Sequence, residues 1–98
     1  MVAMFIIVRG VLRGFGVRSY IYEQMRVREL KGFIEDLDIN ELLVCVEGDA
    51  EAVMGLVDAL RKMPIPAIVS DIETYETDSC YHEQADDSVE IIVKDFDL

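Results

Sequence analysis

Ninety-eight residues with a hydrophobic fraction of 52% suffice for one core and one domain, residues 1–98, and exclude a disordered chain. Twenty acidic residues against nine basic ones leave a formal charge of -11, which repels nucleic-acid backbones and anionic membranes and argues against both as partners. The longest apolar run, residues 1–8, is shorter than the ~20 residues a membrane helix needs and lacks the flanks of a signal peptide. The expectation is a cytoplasmic protein in which Cys45, set in an apolar run, and Cys80, set in an acidic one, are both reduced thiols.

In chain order, residues 1–8 (MVAMFIIV) are continuously apolar and too short for a typical helix, which predicts a central strand covered on both faces. Three glycines, Gly10, Gly14 and Gly16, then break every periodicity and mark a loop. Residues 17–29 carry one apolar stripe at helical spacing through Val17, Tyr20, Ile21 and Met25. Residues 30–36 alternate as a strand, with Phe33 the apolar exception on the polar side, and residues 41–47 (ELLVCVE) return as its hairpin partner. Asp49 is a candidate N-cap for a helix over 50–62, whose Val53, Leu56, Val57 and Leu60 form one face. Pro64 and Pro66 stop it, residues 67–72 read as a fourth strand and residues 89–96 as a fifth. Between them lies an acidic stretch, expected as a loop over about 76–88. Helices with a single apolar stripe must share one face of the sheet, giving an α+β, ferredoxin-like βαββαβ sandwich on a mixed or antiparallel sheet with an extra C-terminal strand.

The charge is unevenly distributed: residues 1–34 have six basic groups against two acidic ones, a net of +4, and residues 35–98 a net of -15. Arg13 lies within the glycine loop and Arg18 in the first turn of the helix that follows it. A loop opening a helix offers unpaired amides and the positive end of the helix dipole, so Arg13, Gly14, Phe15, Gly16, Val17 and Arg18 form a candidate cradle for a phosphate or carboxylate. The spacing matches neither a Walker loop nor a dinucleotide fingerprint.

The run Gly10-Val11-Leu12-Arg13-Gly14-Phe15-Gly16-Val17-Arg18 resembles the acylphosphatase signature G-x-V-Q-G-V-x-F-R. Downstream, Gly32-Phe33-Ile34 stands where that family has G-W-V, and Met63-Pro64 with Ala67 and Val69 resembles its G-P-x-x-A-x-V segment. The resemblance implies a small hydrolase of the carboxyl-phosphate bond of acyl phosphates, working without metal or cofactor. It assigns phosphate binding to Arg18 and the loop. The chain departs from the pattern at Arg13 (glutamine in the family), Val17 (phenylalanine) and Glu29 (a helix-ending glycine). The largest departure is Asp36, which occupies the position of the catalytic asparagine that orients the attacking water. A carboxylate there repels a phosphoryl dianion, with Glu35 and Asp38 expected to add to the repulsion. Asp36 is a candidate general base, and its expected partner is Arg18, with which it would fill the site.

His82 is the lone histidine; with Cys80, Asp78 and Glu83 it makes a poor metal set, and no metal site is expected. Phe33 and residues 91–93 suggest apolar surface on the helix-free sheet face, where a homodimer contact could form. Three functions remain open from sequence: an acylphosphatase, a non-catalytic protein of that fold that binds a small anion or serves as an interaction module, and a ferredoxin-like domain of another kind.

Overall fold

The elements follow in the order β1 (Val2–Val11), α1 (Val17–Val27), β2 (Lys31–Asp38), β3 (Glu41–Gly48), α2 (Ala50–Arg61), β4 (Ile68–Thr77) and β5 (Val89–Ile92). The computed structural model describes residues 1–12, 16–63, 68–80 and 89–92. One five-stranded sheet runs β4-β1-β3-β2-β5, with β1 antiparallel to both neighbours and β5 parallel to β2. β1 is therefore interior, as its continuous apolarity requires.

Alternation along the strands sorts two faces. Ile6 and Val8 of β1, Ile34 of β2, and Leu42, Val44 and Val46 of β3 pack in one buried cluster with Val17, Ile21 and Met25 of α1 and Val53, Leu56, Val57 and Leu60 of α2. Both helices thus cover the same face. Asp49 caps α2, its Oδ2 accepting from the Glu51 amide at 3.2 Å. α1 ends in a paired-carbonyl stop, in which the Glu29 amide donates to Arg26 O and the Leu30 amide to Met25 O. Glu29 takes φ 56 there, the left-handed conformation that its glycine-replacing position demands.

The other face corrects three expectations. β4 runs to Thr77 rather than ending near residue 72, so the acidic stretch begins as strand and residues 76 and 77 are not loop. The reason is electrostatic. Arg9, opposite Asp71 across β1 and β4, bonds Glu41 (2.7 Å), Asp71 (2.9 Å) and Glu73, and so gives a cation to carboxylates that made this segment read as loop. Second, β1 continues past residue 8 to Val11, with a bulge between Arg9 and Gly10.

Third, Cys45 and Cys80 are joined as a disulfide, with Cα atoms 5.7 Å apart, and are not free thiols. β4 and β5 occupy opposite edges of the sheet, so the chain between Thr77 and Val89 must travel about 19 Å, four interstrand spacings. Its first residues take the helix-free face, where Cys80 meets Cys45 on β3. Ala3 is buried with the two cysteines, and Phe5 and Phe33 pack partly buried against them. Phe33 is thus the neighbour of a disulfide and not an isolated apolar exception.

Candidate active site

Two elements bring the site together at the sheet end where β1 hands over to α1. Leu12 is buried and anchors the end of the strand. Arg13, Gly14 and Phe15, half of the expected cradle, lie outside the described residues. Gly16 follows as the N-cap of α1 with φ 71. A Cβ at Gly16 would meet nothing within 4 Å, so the glycine answers to the backbone angle and not to crowding. Val17 is buried and seats the first turn on the core. The Tyr20 amide donates to Gly16 O at 3.0 Å, while the amides of Val17, Arg18 and Ser19 precede the helix's own acceptors. No acidic residue stands in this first turn, so α1 does not neutralise its own positive end.

β2 supplies the complement. Its inward positions are Gly32, Ile34 and Asp36, and Asp36 is a buried charged residue at 4% exposure. Its Oδ2 accepts a hydrogen bond from Nη1 of Arg18, whose side chain remains 41% exposed. The site is therefore an asymmetric ion pair, a buried carboxylate under a guanidinium open to solvent. The expected pairing of residues 18 and 36 is present. The expected contribution of their acidic neighbours is not. Alternation places Glu35 on the opposite, helix-free side, and the register shifts between Asp36 and Asp38, which still pairs with Glu41. Asp38 turns to the hairpin, its Oδ1 accepting from the Ile39 amide at 2.7 Å. The hairpin is tied back to β1 by the Gly10 amide, which donates to Asn40 O at 3.0 Å. The register irregularities of β1 and β2 thus both fall at this end of the sheet.

A shallow surface groove of about 440 Å³ adjoins this end, lined by Arg9, Gly10, Val11, Asp38, Ile39, Asn40, Glu41 and Ser70. It includes neither Arg18 nor Asp36, and its one cation is held by carboxylates. It is unsuited to an anion.

The acylphosphatase family model matches residues 4–91. The chain belongs to the acylphosphatase family. An acylphosphatase of Acidiphilium cryptum is 36% identical over 76 residues, covering 76% of this chain and 84% of that one. The crystal structure of the Bacillus subtilis acylphosphatase superposes with a TM-score of 0.79 at 27% identity, covering 93% of this chain and 98% of that one. The acylphosphatase structure from Coxiella burnetii reaches a TM-score of 0.80 at 18% identity, over 92% and 90% of the two chains, a likeness of fold.

Within this acylphosphatase fold, sequence reasoning missed the Arg9 cluster and the disulfide. Arg9 has a signal in hindsight: it follows Phe5 and Ile7 at period two, which sets it on the helix-free face. Its guanidinium is held above its ordinary pKa, chiefly by the hydrogen bonds to Glu73 and Glu41. Glu73 is held below its ordinary value by hydrogen bonds from the Tyr75 hydroxyl (2.5 Å) and from Arg9. Among the described residues no group of three or more His, Cys, Asp and Glu side chains is arranged to hold a metal ion; His82 and Glu83 lie outside them. No helix of the described residues is long and apolar enough to cross a membrane.

Proposed function

We propose that this protein hydrolyses the carboxyl-phosphate bond of acyl phosphates slowly, with Arg18 gripping the phosphoryl group at the head of α1. The observation that carries the reading is the Arg18–Asp36 pair, which sets a guanidinium beside the first turn of α1; by the resemblance, its carboxylate stands where the family has its asparagine. A phosphoryl dianion must take Arg18 from Asp36 before it binds, and it then faces the freed carboxylate. Separating a partly buried pair costs on the order of 1–3 kcal/mol, and roughly 1.4 kcal/mol is already a tenfold loss of affinity. In this reading Asp36 obstructs the phosphoryl group through its pairing with Arg18 and its charge, and does not serve as the general base. Arg13, Gly14, Phe15, Gly16 and Val17 complete the cradle in this reading, and the ligand is a small phosphorylated or carboxylate anion.

The test is the rate of benzoyl phosphate hydrolysis by the native chain, Asp36→Asn and Arg18→Ala. A neutral amide removes both the pairing and the repulsion, so Asp36→Asn is expected to raise the rate at least about tenfold; Arg18→Ala is expected to abolish it. Brisk native hydrolysis that falls in Asp36→Asn would make Asp36 the working base.

The burial of Asp36 favours a second reading, a non-catalytic family member in which the protein's own charges fill the site. It predicts no turnover by either form, with inorganic phosphate still shifting the backbone resonances of residues 16–19 at ~50 mM, a concentration matching a weak site of about −2 kcal/mol. We also propose a cytoplasmic location, which sets the Cys45–Cys80 bond against a reducing thiol pool.

A further inference from the structure

Residues 78–80, which follow β4, are fastened to the helix-free face by a disulfide. Cys80 lies three residues beyond Thr77, the end of β4, and its side chain is bonded to Cys45 in the middle strand β3. A hydrogen bond seconds the disulfide, from the Cys80 amide to Glu47 Oε1 at 2.9 Å. Beneath the fastening lie Ala3 at 7% exposure and Cys45 at 0%, with Phe5 and Phe33 packed against them. Among the described residues this patch has no helix over it. The segment carrying Cys80 is its cover among the described residues.

We propose that Cys45–Cys80 is a thiol–disulfide exchange site whose reduction by a dithiol unfastens residues 78–80 and uncovers the Ala3–Phe5–Phe33 patch. The exposures set the direction of attack. Cys80 is 6% exposed on a segment whose Asp78 and Ser79 are exposed, whereas Cys45 is fully buried in the sheet. A reductant thiolate therefore attacks Sγ of Cys80, forming a mixed disulfide and breaking the Cys45–Cys80 bond. Cys45 leaves as a thiolate and takes up a proton. The second thiol of the reductant then attacks its own sulfur in the mixed disulfide, frees Cys80 as the second thiol, and closes the oxidised reductant. Two electrons pass to the protein. Glu47 and Asp78 border the bond, so an uncharged dithiol such as dithiothreitol acts faster than the anionic monothiol glutathione. In a reducing compartment the patch is open, and in an oxidising one it is covered. None of this depends on the acyl phosphate reading, and no measurement below uses hydrolysis.

The experiment compares the air-oxidised chain with the chain reduced by dithiothreitol, both folded. Intact mass after maleimide labelling in denaturant should show no free thiol in the first and two in the second. After a brief reduction and a native maleimide pulse, Cys80 should label at least about tenfold faster than Cys45, given their exposures. Hydrogen exchange at the Cys80 amide should rise at least about tenfold on reduction, and binding of an apolar dye should rise with it. Cys80→Ser should show the uncovered state with or without reductant while its β1–β3 amides stay protected; should that variant not fold, the reduced native chain supplies the same readouts. Two free thiols persisting after oxidation, Cys45 labelling first, or a reduced chain whose residues 78–80 remain as protected as before would each overturn the proposal.

Discussion

Asp36 is buried because the period of a strand leaves no other choice: with Ile34 inward against α1, the residue two positions on points inward as well. The resulting ion pair is unequal, and the two halves should respond differently to removal. Arg18→Ala leaves a carboxylate at 4% exposure without its cation, and should cost about 1–3 kcal/mol, less than a fully buried pair because Arg18 is half in solvent. Asp36→Asn leaves Arg18 free to turn to water, and should cost well under about 1 kcal/mol. Urea midpoints of the two variants check this, and an equal loss in both would contradict the asymmetry. Gly32, two residues from Ile34, is a sharper case. It sits at φ 148, and a Cβ there would fall 1.7 Å from the carbonyl oxygen of Cys45 on the neighbouring strand. That oxygen belongs to backbone and cannot yield, so Gly32→Ala should lose at least about 3 kcal/mol, measurable by the same urea titration.

At the scale of elements, the stop of α1 carries strain that the local sequence does not relieve. The Schellman bonds at Glu29 and Leu30 are both formed, and Leu30 and Met25 share the core, yet the left-handed position holds a glutamate. Glu29→Gly should stabilise the fold by about 1 kcal/mol, a rise in Tm of about 4–8 °C for a domain of this size; calorimetry would show it. This position illustrates what was legible in the chain. Both helices, the hairpin and the cap at Asp49 follow from spacing within a dozen residues, the Glu29 departure from the family resemblance, and the structure keeps all of them. The pair of Arg18 and Asp36 was legible because a family pattern sets both positions on adjacent elements. β4 was cut short since Glu73 and its acidic neighbours look solvated until Arg9, 64 residues away in sequence, is opposite them. The disulfide spans 35 residues and joins β3 to the segment that follows β4, a long-range contact that no local pattern carries.

For the whole molecule, the Arg9 cluster makes stability depend on pH with a definite sign. Glu73 has a lowered pKa when folded, so its contribution is present above its unfolded value of about 4.3 and is lost as pH falls through the folded value. The native Tm should stay level from pH 7 to about 5 and decline below about 4. In Arg9→Met, Glu73 loses one of the hydrogen bonds that hold its pKa down, so the decline in Tm below about pH 4 should be shallower than in the native chain. A Tm profile unchanged by Arg9→Met would remove the cluster from the account of stability.

The placement of β4 has one more consequence. Among the described residues it is a sheet edge, ten residues long, and such an edge offers unpaired amides and carbonyls to any other strand. β5 shields the far edge at β2, and nothing equivalent stands beside β4 among the described residues. What guards it is its own charge: Asp71, Glu73 and Glu76 would confront their counterparts if two molecules joined edge to edge. That protection is titratable. Near the isoelectric point of about 4.3 the net charge that keeps whole molecules apart vanishes, while the strand stays. Fibril growth, followed by thioflavin fluorescence, should therefore be slow at pH 7 and accelerate toward pH 4, beginning with pairing at β4.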